Sequence, residues 1–471
     1  MTLDFFRLMY PELSLILIIF TLLIIKIFDL FKQNQSLISF FNAIFNFYFA
    51  SLLFSININS GELFNGMYIS SSKFAFEKLI LTSGTLLILL NSAVWLKNHK
   101  HLPEFYLLLV SSLLGMQYMI SSGNFLMFYL GLELASIPLA ALVNFDLEKK
   151  KSSEAAMKMI LLSAFASGIM LFGISLIYGT SGSLDFDILQ TSINANKLNI
   201  IALIFIFSGF AFKISAVPFH FWTADVYEGA PFAITAFLST ISKAVIVFVF
   251  ISVLSPIFNN LQFLWSNLLL IIIPLTIFIA NIFALRQRNI KRFIAFSSIA
   301  QAGYILLGLS SNNGLGFASS IFFVIIYLLS NIGFFAVVSA VSDSMGKEEI
   351  DDYKGFYKNN KKLSWALAIS LFSLAGIPPT AGFFGKIFLI TAGAATNHIL
   401  LIAFVALNMV ISLFYYLNIV KKVFVDSSQA PLADVKTGLS AKVSLIICLA
   451  GIIIIGLNGA LLEYITKLIN L

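Results

Sequence analysis

Four ionisable side chains sit inside runs that are otherwise apolar. Lys213 ends NIIALIFIFSGFAFK, Lys243 lies in AITAFLSTISKAVIVFVF, Lys386 in LAGIPPTAGFFGKIFL and Glu133 in FLMFYLGLELASIPLAAL. A charge near a bilayer centre costs at least ~2.5–3.5 kcal/mol on insertion scales, so such residues are rarely kept without a use. One carboxylate and three amines at membrane depth suit a proton relay better than a substrate cage. Burial favours the neutral amine and a nearby carboxylate restores its proton, so a lysine whose carboxylate partner moves is a switchable proton store. The competing readings are structural: a Glu133–Lys213 ion pair, or Lys243 and Lys386 snorkelling to an interface. His220 could cap a backbone carbonyl or lie on a proton path.

Elements that hold such residues must themselves lie in lipid. Of 471 residues 59% are hydrophobic and 11% charged, which leaves too little polar surface for a soluble fold. The apolar runs recur along the whole chain and are too long, and too little alternating, for membrane strands. The expected fold is therefore an all-α polytopic membrane protein. A requirement of about twenty residues per span gives fourteen candidates. They fall near 11–31, 37–58, 76–96, 105–121, 125–145, 153–178 and 199–219, then 231–254, 264–285, 289–309, 315–341, 363–390, 398–425 and 442–462. Among the acidic residues, Glu133 alone is expected deep in a span.

Loops after odd-numbered spans hold or adjoin 21 of the Lys and Arg residues, Lys32 and Lys158 among them, and the opposite side 5, Lys78 among those. The net charge of +7 is thus a topology signal, with the Lys-rich face cytoplasmic and both termini on the other side. Lys158 reads as a surface partner of Glu154 at i,i+4. The loop between spans 2 and 3 is neutral and carries no motif. Ser297, Ser298, Gln301 and Asn331 read first as polar contacts between helices. A single cysteine, Cys448, excludes an internal disulfide, a Cys-ligated zinc site and an iron–sulfur cluster. No nucleotide-binding glycine loop is present, and no nucleic-acid partner is expected.

Prolines interrupt two of the lysine-bearing spans, Pro218 beside Lys213 and Pro378-Pro379 before Lys386. Each removes a backbone N–H and frees a carbonyl. The two spans are five apart, an odd number, so two five-helix units would insert with opposite orientation, as in many ion-moving proteins.

KISAVPFHFWTADVYEGAPFAITAFLSTISKA resembles the signature stretch of the antiporter-like membrane subunits of bacterial respiratory complex I. Asp225–Pro231 followed by Ser242–Lys243 is similar to the N-type subunit rather than the L and M types. GLELASIP around Glu133, RNIKRFIAFSSIAQAGY and LAGIPPTAGFFGKIFL match it too, in order and over nearly the whole chain. The resemblance implies fourteen transmembrane helices forming a single transmembrane domain over 1–471. Helices 1–3 occupy 1–104, inverted repeats of helices 4–8 and 9–13 occupy 105–254 and 264–425, and helix 14 occupies 442–471. Helices 7 and 12 are expected to be broken. It implies one proton channel through Glu133, Lys213, Lys243 and Lys386. Ala224 departs from the proline often found before the Asp, which leaves every ionisable position intact.

The expected function is proton translocation within NADH:quinone oxidoreductase, driven by quinone reduction elsewhere in the complex. No cofactor or metal is expected in this chain; flavin and iron–sulfur clusters belong to partner subunits. Expected partners are other membrane subunits of complex I (M-type and K-type neighbours), the lipid bilayer of the bacterial inner membrane, protons and internal water. A subunit of an Mrp-type cation/proton antiporter, exchanging an ion on the same fold, is the alternative.

Overall fold

Lipid offers no hydrogen bonds to a backbone, so long apolar runs become helices that satisfy themselves. The computed structural model describes residues 2–31, 33–56, 60–97, 99–395 and 398–469. Lys32 and the expected end of the second span at 57–58 lie outside the described residues. The helices, in chain order, are α1 Tyr10–Phe28, α2 Asn34–Ser55, α3 Ser72–Lys97, α4 Leu102–Ile120, α5 Phe125–Val143 and α6 Lys150–Ser181. Next come the broken α7, with α7a Lys197–Ile214 and α7b Phe221–Gly229, and then α8 Phe232–Ile257. The second half holds α9 Gln262–Leu285, α10 Ile290–Ser310, α11 Gly314–Met345 and the broken α12, with α12a Lys361–Ala375 and α12b Ala381–Ala394. α13 Ile399–Phe424 and α14 Leu439–Leu457 close the set.

Among the described residues, twelve helices are long and apolar enough to cross a membrane; α4 and the two pieces of α12 fall outside that set. The protein is a multi-pass membrane protein. Among the described residues, the two strands form a small antiparallel hairpin, Gly61–Leu63 with Tyr68–Ser70, in the loop that carries no signal in the sequence.

α10 is buried along its whole length and α8 and α11 nearly so, while α1, α2 and α14 present most of their surface outward. Any polar group on α10 must therefore find its partner inside the protein. Close approach is achieved with small residues. At Gly115 of α4 an added Cβ would stand 2.4 Å from the Ala135 nitrogen and 2.7 Å from the Gly131 oxygen of α5.

The breaks in α7 and α12 share one pattern. Each ends on a left-handed residue, Ser215 at φ 68° and Gly376 at φ 83°. The next amide reaches five residues back, Ala216 to the Ala211 oxygen at 2.8 Å and Ile377 to the Phe372 oxygen at 2.9 Å. A cis proline follows, Pro218 or Pro379, and the chain then turns through Phe219 to Ala216 at 2.7 Å or Thr380 to Ile377 at 3.1 Å. The C-terminal carbonyls freed at each break need other donors.

Gly115→Val should overpack the α4–α5 seam by roughly 1–3 kcal/mol. The purified complex carrying it should melt at a lower temperature; an unchanged melting temperature would show the seam to be loose.

Candidate functional site

The three intramembrane lysines are each held by neutral oxygens. Lys213, at the end of α7a, donates to Ser136 Oγ of α5 at 2.6 Å and to Ser163 Oγ of α6 at 2.9 Å. Lys243 of α8 donates to the backbone oxygen of Ser298 at 3.1 Å and to its Oγ at 3.0 Å. Lys386 of α12b folds back on the break that precedes it and donates to the Leu374 and Ala375 oxygens at 2.8 and 3.0 Å. There it supplies the donors that the C-terminal end of α12a lacks, with its charge at the negative end of the helix dipole. At the α7 break the donor is Trp222, whose indole donates to the Phe212 oxygen at 3.2 Å, while Thr276 accepts from the Val217 amide at 3.0 Å.

Glu133 lies on α5 three residues before Ser136, and one of its oxygens is buried without a hydrogen-bond partner. Among the described residues it forms no ion pair with Lys213; the lysine rests on serine hydroxyls where a direct pair was one of the competing readings. A cavity of about 30 Å³ borders Lys213, Ser136, Ser163 and Ser242, the residue before Lys243. That is room for a water between the first two lysines.

From Lys243 onward the polar groups run through α10. Ser297, next to Ser298, bonds the Tyr416 hydroxyl of α13. Gln301, one turn on, donates to Tyr416 at 3.0 Å and to the Leu374 oxygen at 3.1 Å, the same oxygen that Lys386 holds. Ser297, Ser298 and Gln301 make the contacts between helices expected of them: Ser298 holds Lys243 of α8, while Ser297 and Gln301 reach α13 and, through the Leu374 oxygen, the end of α12a. Asn331 is buried with neither amide atom partnered. His220 is buried beside the α7 break; its Nδ1 has no partner, and it makes no hydrogen bond to a relay lysine among those described.

Two buried acids were not foreseen. Glu12 and Glu77, near the starts of α1 and α3, are fully buried inside the protein. Glu12 pairs with Lys78 at 2.5 Å, and Tyr68 of the hairpin donates to Glu12 at 2.9 Å and accepts from Lys78 at 3.2 Å. Lys78, expected as a loop charge, is an internal ion-pair partner. The PE dipeptide at Pro11–Glu12 and the adjacent Glu77-Lys78 were the available signals, but nothing in the sequence said that they meet.

On the Lys-rich face α7b is tied down by charge. Lys158 reaches Asp225 at 2.7 Å as well as its expected partner Glu154 at 2.7 Å. Arg292 spans Asp225 at 2.8 Å and Glu228 at 2.9 Å, and Lys151 adds a second contact to Glu228 at 2.9 Å. Partial burial pushes both carboxyls upward, but Lys158 and Arg292 at Asp225, and Lys151 and Arg292 at Glu228, outweigh it. Both are held below the ordinary carboxylate range.

A multi-helix membrane protein with two broken helices and a lysine amine beside each break is the class that the fold and the site define. The family described as NADH:quinone oxidoreductase/Mrp antiporter, TM, matches residues 122–412. NADH-quinone oxidoreductase subunit N of Phocaeicola vulgatus is 46% identical over 400 residues, 84% of each chain. The subunit of that name from Azobacteroides pseudotrichonymphae is 45% identical, covering 86% of this chain and 85% of the other. The chain belongs to the NADH-quinone oxidoreductase subunit N family. A chain of respiratory complex I from Thermus thermophilus superposes with a TM-score of 0.81 at 26% identity, covering 96% of this chain and 98% of the other. A chain of the Mrp complex of Dietzia gives 0.88 at 18% identity over 100% of this chain and 97% of the other, a likeness of fold alone.

Replacing Lys78 by Leu should strand the Glu12 carboxylate and cost roughly 3–5 kcal/mol. The chain should then be missing from assembled complexes, and Glu12→Leu added to Lys78→Leu should restore it. An assembled double variant that fails to pump would move the pair from architecture into proton transfer. Acid should loosen α7b. Depressed carboxyl pKa values stabilise the docked helix above the unfolded values of about 3.9–4.3 and lose that effect as pH falls through the folded ones. Amide exchange over 221–229 should quicken below about pH 4, and Arg292→Gln should bring the same change at higher pH. Identical exchange in variant and parent would show α7b held by packing.

Proposed function

We propose that this chain is a proton-translocating, non-redox membrane subunit of NADH:quinone oxidoreductase, in which Glu133, Lys213, Lys243 and Lys386 pass protons along the membrane plane. The observation that supports the reading is a pair of polar clusters that meet on α10: Lys243 with Ser298, and, from its chain neighbour Ser297, Tyr416, Gln301 and the Leu374 oxygen that Lys386 holds. With the small cavity at Lys213, they set polar groups beside three amines that apolar packing would otherwise isolate. His220, beside the first break, is the further candidate.

The coupling follows from the electrostatics. Quinone reduction in partner subunits shifts charge along the membrane arm, and the distance between Glu133 and Lys213 responds. A closer carboxylate favours the charged amine; a more distant one releases its proton toward Lys243. Transfer must work against a membrane potential of ~2.3 kcal/mol per charge per 100 mV, which is why it has to be tied to the redox step. Electrons stay in other subunits, with flavin and iron–sulfur clusters there. M-type and K-type subunits are the proposed neighbours. The Lys-rich face is proposed to be cytoplasmic and both termini periplasmic, in the inner membrane of a bacterium. Fourteen transmembrane helices with inverted repeats of helices 4–8 and 9–13 complete the reading, and the matched breaks of α7 and α12 support that repeat.

Lys213→Ala in the otherwise intact complex tests this in membrane vesicles. NADH:quinone turnover and proton uptake should fall together by about tenfold or more while assembly persists. Wild-type values of both would make Lys213 structural and the path wrong.

A further inference from the structure

A cavity of about 430 Å³ opens on the Lys-rich face between α3, α8 and α11. Asp146, Asp343 and Glu348 line it with Lys149 and Lys291. Two of the acids are tied: Lys149 holds Asp146 at 2.7 Å, and the buried Lys291 holds Glu348 at 3.2 Å. Lys291 also donates to the Ala230 oxygen at 3.2 Å, so the cavity wall is fixed to the linker between α7b and α8.

The floor is aromatic. Phe232 of α8 and Phe335 of α11 meet edge to face with centroids 6.5 Å apart, and the Lys291 ammonium lies 4.3 Å above the Phe232 ring. Directly below the floor the polarity returns. Residues 327, 331, 335, 339 and 343 recur every fourth position on α11, each about one turn from the last, and so form one ridge that winds around the helix. In order they are Tyr327, Asn331, Phe335, Ser339 and Asp343; the last three line the cavity. Asn331 and Tyr327 are buried, and neither amide atom of the one nor the hydroxyl of the other has a hydrogen-bond partner. Tyr327 lies beside Asn331 and Ser298, and Tyr227, also unpartnered, lies beside Ser298. Ser298 is the residue that holds Lys243. Unpartnered buried polar atoms cost roughly 1–3 kcal/mol each unless water satisfies them, so this cluster calls for partners that the side chains around it do not supply.

We propose that this ridge of α11 is the proton-uptake route to Lys243, running from the cavity past a Phe232–Phe335 gate to Asn331, Tyr327 and Ser298. It rests on the relay reading above and adds to it an access point that bypasses Glu133 and Lys213. Asp343 and Glu348 collect protons at the mouth, and Asn331 carries the water chain beneath the gate. The phenylalanine pair keeps the passage dry except when the rings part, a hydrophobic constriction of the kind that gates by dewetting. Asp343 and Asn331 are twelve residues apart, about 18 Å along the helix, so the passage covers much of the half-membrane on that side.

Cysteine accessibility and pumping test it together, in assembled complexes in inverted vesicles. The native Cys448 is buried and gives little background. Ser339→Cys should react with a membrane-impermeant thiol reagent added to the Lys-rich face. Asn331→Cys should be protected, and should become reactive when Phe335→Ala is added. Asn331→Leu should lower proton uptake and turnover about tenfold with assembly intact, and Asn331→Asp should recover most of both. Protection of Ser339→Cys, or no gain of reactivity on removing Phe335, overturns the route. So does an Asn331→Leu complex that pumps like the parent while Lys243→Ala does not, a result that leaves the relay standing. If Lys243→Ala also pumps normally, the relay reading itself fails.

Discussion

An amine taken out of water must be given oxygen, and the kind of oxygen decides what it can do. Lys78 is given a carboxylate, Glu12 at 2.5 Å, with Tyr68 closing the cluster. Removing either member of such a pair would leave the other charge buried alone. Lys213, Lys243 and Lys386 are given hydroxyls and carbonyls. A serine hydroxyl accepts from an ammonium and donates to a neutral amine, so it supports either state by rotating. A backbone carbonyl accepts from both. One chain thus contains a lysine held by a carboxylate and three held by neutral oxygens, and the proposed relay uses the second kind.

The helix breaks follow from the same constraint. A left-handed residue and a cis proline end α7a and α12a inside the membrane, and each ending exposes carbonyls that no water reaches. At α7 an indole donates to one of those carbonyls and a threonine hydroxyl accepts from an amide of the break, so Lys213 is left to the serines. At α12 the donors are Lys386 and Gln301, both on the Leu374 oxygen. The second break therefore does what the first does not: it joins a backbone requirement to a titratable group. Gln301 ties that same carbonyl to Tyr416 and α10, so the state of Lys386 is felt across three helices.

Much of this was legible in the sequence. Glu133, Lys213, Lys243 and Lys386 stand out because an ionisable residue in an apolar run has no bland explanation, and Pro218 and Pro378-Pro379 mark the breaks beside two of them. What stayed hidden is lateral. Lys78 lies six residues into α3, close enough to the end of its apolar run to pass for a loop charge, and Glu12 belongs to a helix more than sixty residues earlier. Their meeting depends on how α1, α3 and the hairpin pack, which no hydropathy pattern encodes. Asn331 looked like one more polar contact between helices; only its missing partners distinguish it. Periodicity reports which face of a helix is polar but not what stands opposite.

The absence of a Glu133–Lys213 bond among the described contacts bears on how coupling could operate. Glu133 and Ser136 are one turn apart on α5, so they move as a unit. Ser136 holds Lys213 at 2.6 Å, and Ser163 holds it from α6 at 2.9 Å. A shift of α5 relative to α6 therefore changes two things at once: the hydroxyl support of the amine and its distance from the carboxylate. Were the lysine paired directly with Glu133, the same shift would have to break a buried ion pair first, at a cost of several kcal/mol. In the proposed coupling, an amine resting on neutral oxygens has no buried ion pair to break before a displacement of α5 changes its surroundings.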